Sequence, residues 1–285
     1  MSPENGDGLP ERGYPSVPTA AEPRSGDNLR PTQPQAVATT VPPRPRHQVD
    51  LDLDALRTAG YLVPGTPRNQ LMDEWRSIKR PLLAKLHSAR AARSDARENL
   101  IMITSALAGE GKTFSSINLA MSLAAEVDQQ VMLVDADIAR TSATRQLGIE
   151  LRPGLLDLLA DPNLKLVDVE LSTNIANLTF LPAGTPNDHA NELFGSLTMD
   201  RLLRNLHLLS TRIVVFDSPP LLPAVESRVL APQMGQILLV INAGKTSQSL
   251  VQQALDLIES CPVVAIMLNC ATAHSGAPAY GYYAY

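Results

Sequence analysis

Eight residues constrain this chain more than any others: Ala106-Leu107-Ala108-Gly109-Glu110-Gly111-Lys112-Thr113 lie between the apolar run Leu100–Thr104 and a stretch of helical periodicity. The apolar run reads as a buried strand, and the stretch that follows, with Ile117, Ala120, Met121 and Ala124 on one face, reads as a helix. The loop therefore joins a strand end to a helix start. There, backbone N–H groups freed by Gly109 and Gly111 can converge on phosphate oxygens, and the helix dipole favours negative charge. In this pattern Lys112 reaches the β- and γ-phosphates and the Thr113 hydroxyl ligates Mg²⁺, so ATP with Mg²⁺ is the expected ligand. Glu110 and Phe114 complete the expected nucleotide contacts. The usual pattern opens with glycine where this chain has Ala106, which relaxes the match by one position.

After Asn99, short apolar runs alternate with amphipathic segments. Leu100–Thr104, Val131–Val134, Leu178–Leu181, Ile213–Phe216, Ile237–Ile241 and Val263–Leu268 read as strands, and Thr113–Val127, Met199–Leu209 and Ser247–Glu259 as helices between them. Such βαβ alternation predicts an α/β fold, a mostly parallel central sheet with helices on both faces. Ligands in such sheets sit at the carboxyl ends of the strands. Two of the runs end in acids there: Val131–Val134 leads to Asp135-Ala136-Asp137, and Ile213–Phe216 to Asp217. A carboxylate in that place can hold Mg²⁺, and a second can orient or deprotonate an attacking group. Asp217 is expected in the Mg²⁺ shell. Asp135 and Asp137 divide the roles of general base and metal support, in an order the sequence leaves open; helix capping is the plainer alternative for either.

The two ends of the chain have a different texture. Residues 1–50 carry 10 of the 23 prolines and few clustered apolar residues, so disorder is expected. Leu51, Leu53, Leu56 and Leu62 suggest a short docking segment, and a helix is expected over 69–92, kinked or interrupted at Pro81. Its polar face, with Arg76, Lys79, Arg80 and Lys85, reads as solvated or as a contact surface. At the other end, four of the six tyrosines, Tyr280, Tyr282, Tyr283 and Tyr285, fall in the last six residues. A segment so rich in Gly and Ala reads as a mobile tail over 274–285 whose phenolic hydroxyls are candidate phosphate acceptors, with partner docking as the alternative.

The loop Ala106–Thr113, the strand end at Asp135-Ala136-Asp137 and the one at Asp217 resemble the Walker A, A′ and B motifs of bacterial tyrosine kinases. More narrowly, Trp75–Leu83, Gly154–Pro162 and Leu181-Pro182-Ala183-Gly184 are similar to tyrosine autokinases of exopolysaccharide loci associated with exosortase. The resemblance covers about residues 70–285. It implies a P-loop NTPase domain over 69–273 and autophosphorylation of the tail tyrosines in trans. It also implies a homo-oligomer, in some members a ring, an inner-membrane chain-length regulator as activator, and a phosphotyrosine phosphatase. The family's oligomerisation helix carries a charge pattern that Asp73, Arg76 and Lys79 match in spacing. In related ATPases an asparagine placed like Asn269 contacts adenine, although a turn-forming asparagine is the simpler reading. The A′ motif usually has arginine where Ala139 stands, and whether Arg140 supplies that charge is open.

A net charge of -5 gives no overall reason to expect nucleic acid as a partner. Cys261 and Cys270 have neither metal-knuckle nor redox-pair spacing, which fits a cytoplasmic protein brought to the inner membrane through its partner. Two other functions use the same loop: a partitioning-type switch with water as acceptor, and a non-catalytic nucleotide-binding scaffold.

Overall fold

The computed structural model describes residues 45, 47–92, 97–209 and 211–271. The tail tyrosines Tyr280, Tyr282, Tyr283 and Tyr285 lie outside this range. Among the described residues the strands are β1 (His47–Val49), β2 (Leu100–Ser105), β3 (Gln130–Asp135), β4 (Leu171–Thr173), β5 (Leu178–Leu181), β6 (Arg212–Asp217), β7 (Gln236–Asn242) and β8 (Val264–Asn269). The helices are α1 (Leu53–Thr58), α2 (Gln70–Ala92), α3 (Lys112–Ala124), α4 (Ser142–Gln146), α5 (Leu155–Ala160), α6 (Leu166–Val169), α7 (Ala190–Phe194), α8 (Leu197–Leu208), α9 (Val225–Leu230) and α10 (Gln248–Asp256). The sheet runs β1-β4-β5-β3-β6-β2-β7-β8, and every neighbouring pair is parallel except β4 with β5.

Strands buried on both faces send alternate side chains to opposite sides. Met102, Val134, Phe216 and Leu239 join the core beneath α5, α8 and α9, whereas Ile101, Leu133, Val215 and Leu238 join the core beneath α2 and α3. Helix α3 lies between the sheet and α2, so its burial extends well beyond the expected face and includes Leu119 and Leu123. On α2, Trp75, Leu82 and Leu86 form the buried stripe, each contributing about 1.5–3 kcal/mol by leaving water.

The segment before α2 packs on the domain. The Asp52 carboxylate caps α1 by accepting from the backbone N–H of Asp54 and Ala55. Asn174 exchanges two hydrogen bonds with the Leu51 backbone. The Leu62 N–H donates to Asn118 Oδ1 on α3 at 2.8 Å, and Leu51, Leu56, Tyr61, Leu62 and Val63 are buried in the same core as α3. Replacing Asn118 with alanine leaves that N–H buried without an acceptor. A loss of about 1–3 kcal/mol in urea unfolding is expected, and an unchanged midpoint would mean that the segment is not docked in solution.

Three sequence-based expectations need correction. The region 1–50 is not wholly without structure, because His47–Val49 pairs in parallel with β4. Helix α2 continues through Pro81 without interruption; proline removes one helical N–H, and the packing of Leu82 and Leu86 on either side of α2's next turn outweighs that loss. Lys79 does not belong to a solvated face. It is buried, with its ammonium donating to Ser122 O at 2.7 Å and paired with Glu126 at 2.6 Å. Strands β1 and β4 were not legible because three residues carry no periodic signal.

Candidate functional site

Strand β6 lies between β2 and β3, so the carboxyl ends of all three are side by side. Asp135 and Asp217 are register partners at the ends of β3 and β6, and Ile103 pairs with Asp217 from the other side. The loop leaving β2 therefore starts next to both carboxylates. Gly109 and Gly111 have φ of +85° and +95°, a region where a side chain is strained. At Gly111 a Cβ would also stand 2.0 Å from Asn269 Nδ2. Ala106, at the position where the common pattern has glycine, is fully buried and outside the left-handed region, so its methyl group costs no backbone strain.

Lys112 Nζ lies 2.5 Å from Asp137 Oδ2, which also accepts from Ser142 Oγ at 3.4 Å. Asp135 Oδ2 accepts from both the N–H and the hydroxyl of Thr144, at 2.8 and 2.7 Å. Asp217 Oδ1 accepts from Ser116 Oγ at 3.0 Å, one helical turn along α3 from Thr113, whose hydroxyl also bonds the same carboxylate. Burial pushes the Asp217 carboxyl up to about 7; Lys112 opposes this, Asp135 adds to it, and the Thr113 and Ser116 hydroxyls oppose it. Burial likewise lifts Asp135 to about 6, against the two bonds from Thr144 and with the Asp137 charge adding. One oxygen of each, Asp135 Oδ1 and Asp217 Oδ2, is buried without a hydrogen-bond partner among the described residues.

Those orphaned oxygens test the site against a metal. They are hard donors, as Mg²⁺ requires, and Mg²⁺ commonly takes one or two carboxylates and fills its shell with phosphate and water. No group of three or more His, Cys, Asp or Glu with ligand geometry occurs among the described residues.

The remaining expected residues are placed as follows. Glu110 is buried; its carboxylate accepts from the Leu107 N–H at 2.7 Å and from the Thr246 hydroxyl. Asn269 donates to Glu110 O at 2.9 Å, so it abuts the loop at the end of β8. The Phe114 ring faces Tyr61 at 5.1 Å. Asp73 pairs with Arg76 and Arg68, away from the carboxylates, and Lys79 is engaged inside its own chain. Ser116, Thr144, Ser142 and Thr246 also hold the site together. Only Ser116 had a signal in the sequence, its helical spacing from Thr113; Ser142 and Thr144 approach from the short helix that follows Asp137, and Thr246 from a loop remote in sequence.

A family profile described as an AAA domain matches residues 98–263, more than half of the chain. The chain belongs to this AAA-domain family. The match spans β2 to β7 and includes the phosphate loop with Asp135, Asp137 and Asp217, while Asp73 and Asn269 lie outside it. Among curated proteins, this AAA domain is 29% identical over 167 residues to the tyrosine-protein kinase YwqD of Bacillus subtilis, covering 59% of this chain and 69% of that one. It is 31% identical over 206 residues to the succinoglycan biosynthesis transport protein ExoP of Rhizobium meliloti, covering 71% of this chain and 25% of that one. Among solved structures, the VpsO kinase domain superposes with a TM-score of 0.55 at 28% identity, covering 70% of this chain and 99% of that domain. The chain spans less than a third of the length of the first curated relatives it matches. Its fold is that of a P-loop nucleotide-binding domain, homologous to bacterial tyrosine-protein kinases. No helix among the described residues is long and apolar enough to cross a membrane.

Proposed function

We propose that this AAA domain is an ATP-dependent protein-tyrosine autokinase whose acceptors are Tyr280, Tyr282, Tyr283 and Tyr285 of a neighbouring copy. The observation that carries the reading is the convergence of Lys112, Asp135, Asp137 and Asp217 on the phosphate loop, together with the names of the relatives that share the domain. The loop amides after Gly109 and Gly111 cradle the phosphates, and Asn269 beside the loop meets the base. Lys112 exchanges its partner Asp137 for the transferring phosphoryl group. Freed of Lys112, Asp137 receives the phenolic hydroxyl. Mg²⁺, held by Thr113, Asp217 and through them Asp135, would neutralise charge on the β- and γ-phosphates. The bond from the γ-phosphorus to its bridging oxygen breaks and a bond to the phenolic oxygen forms. The phenolic proton passes to Asp137, leaving ADP and phosphotyrosine.

In the same reading, copies assemble into a homo-oligomer, in one form a ring, with Asp73 and Arg76 on the helix that meets the neighbour and Lys79 tying that helix to its own chain. An inner-membrane polysaccharide chain-length regulator activates the kinase, a phosphotyrosine phosphatase resets it, and exopolysaccharide synthesis or export is the process controlled. Nucleic acid has no part in it. The protein works in the cytoplasm at the membrane surface.

The test is to incubate the purified chain with γ-labelled ATP and Mg²⁺ and map the label. Phosphotyrosine in 280–285 is expected, and replacing the four tyrosines with phenylalanine should remove most of it while nucleotide affinity stays within about twofold. Release of free phosphate with no labelled tyrosine would replace the kinase with a nucleotide switch.

A further inference from the structure

Immediately past Asp137 the chain makes a tight turn, with the N–H groups of Arg140 and Thr141 both donating to Asp137 O at 3.0 and 2.6 Å. Thr141 is held at a φ of +45°, a strained conformation for a side chain branched at Cβ. The turn presents Arg140, and helix α4 presents Arg145, to a cleft of about 840 Å³ that begins at Ile138 and is closed by Pro186, Asp188 and Glu226. That volume is within the range of built ligand pockets. Neither guanidinium has an ion pair or side-chain hydrogen bond among the described residues, whereas Arg76, Arg97 and Arg212 each pair with a carboxylate.

We propose that this cleft is an acceptor subsite that reads a phosphotyrosine already present on the segment being phosphorylated. It rests on the kinase reading above and adds a preferred order to it. Three observations carry it. The cleft opens one residue from Asp137, the group placed to receive the phenol, so a segment with one tyrosine at Asp137 has its neighbouring residues over the cleft. The acceptor residues are adjacent or one residue apart, Tyr282-Tyr283-Ala284-Tyr285, so a phosphate on one lies within a side-chain length of the next. Two unpaired guanidinium forks match a phosphate dianion in geometry and charge, through paired N–H donors. Asp188 and Glu226 from the other segments offset the two positive charges at long range. Recognition therefore comes from direct contact and is selective for a group that reaches both arginines. The first phosphorylation creates the ligand that draws the next tyrosine into place, and the cluster fills in sequence on one bound segment.

The test uses the full chain and three probes: the peptide of residues 279–285 unmodified, the same peptide phosphorylated at Tyr283, and free phosphotyrosine. Fluorescence anisotropy should show the phosphopeptide binding about tenfold tighter than the unmodified one. The preference should fall to near parity in Arg145→Gln and in Arg140→Gln, with free phosphotyrosine binding more weakly than the phosphopeptide. In the transfer assay, the ratio of phosphopeptide to unmodified-peptide labelling should fall to near parity in Arg145→Gln. Equal binding of the two peptides, or a preference that survives both substitutions, overturns the subsite. Tighter binding of free phosphotyrosine than of the peptide assigns the arginines to an unrelated anion and also overturns it. Preferred binding through the arginines with no transfer to either peptide keeps the subsite and removes the kinase.

Discussion

Lys112→Met is expected to lower phosphoryl transfer at least about 100-fold, because the charge that meets the developing transition state is gone. A second effect, on the protein without nucleotide, separates this site from a generic phosphate loop. Lys112 and Asp137 are both almost fully buried and directly paired. With methionine at 112, Asp137 keeps among the described residues only the Ser142 hydroxyl at 3.4 Å. Removing one partner of a buried pair costs about 3–5 kcal/mol, unless the carboxylate takes up a proton instead. Lys112→Met should therefore unfold at lower urea, and the added Asp137→Asn should recover most of that loss without recovering transfer. The midpoint of each variant, read beside the binding of a fluorescent ATP analogue, tests both parts. A single variant as stable as the wild type would mean that the pair does not form in solution. A single variant that still transfers phosphate would remove Lys112 from the chemistry.

The same pair explains how the sequence reads well in one respect and poorly in another. The loop, the strands β2, β3 and β6 and the acids that end β3 and β6 were legible because each depends on local pattern: apolar runs of strand length, glycines at positive φ, aspartates at run ends. Their convergence follows from parallel topology, which βαβ alternation dictates. Which acid meets which partner is not local. Asp137 finds Lys112 because α3 and the turn after β3 start from neighbouring strand ends, and Asp135 is turned towards Thr144 by the short helix α4, which has too few residues to announce itself. Lys79 was misread for a similar reason. Its side chain lies on the charged side of α2, but the end of α3 rises there and offers Ser122 O and Glu126. A charged residue at helical spacing is exposed only if nothing packs over it.

The carboxylates of Asp135 and Asp217 give the stability of the nucleotide-free protein an unusual pH dependence. Both titrate above the ordinary aspartate value near 3.8, at about 6 and about 7, with burial the leading cause. Between about pH 4 and pH 7 the folded state therefore holds more protons than the unfolded state. Stability then falls as pH rises through that window and levels off above it, opposite to a salt-bridged carboxylate. Asp73, drawn down by the Arg68 guanidinium, has the opposite sign, so the site's share must be read as a difference between wild type and variant. With a chelator present, Asp217→Asn should be more stable than wild type at pH 8, by about 2–4 kcal/mol, with the gain shrinking towards pH 4. Asp135→Asn should give a smaller gain, because Thr144 loses part of its acceptor. Urea unfolding at pH 4.5, 6, 7 and 8 measures both. A gain of the same size at every pH would mean that neither carboxyl is protonated in the folded protein. Ionised oxygens that destabilise the empty site are the ones a divalent cation with nucleotide would engage, so Mg²⁺ and ATP should flatten the wild-type profile between about pH 6 and pH 7 and change the slope of the Asp217→Asn profile less.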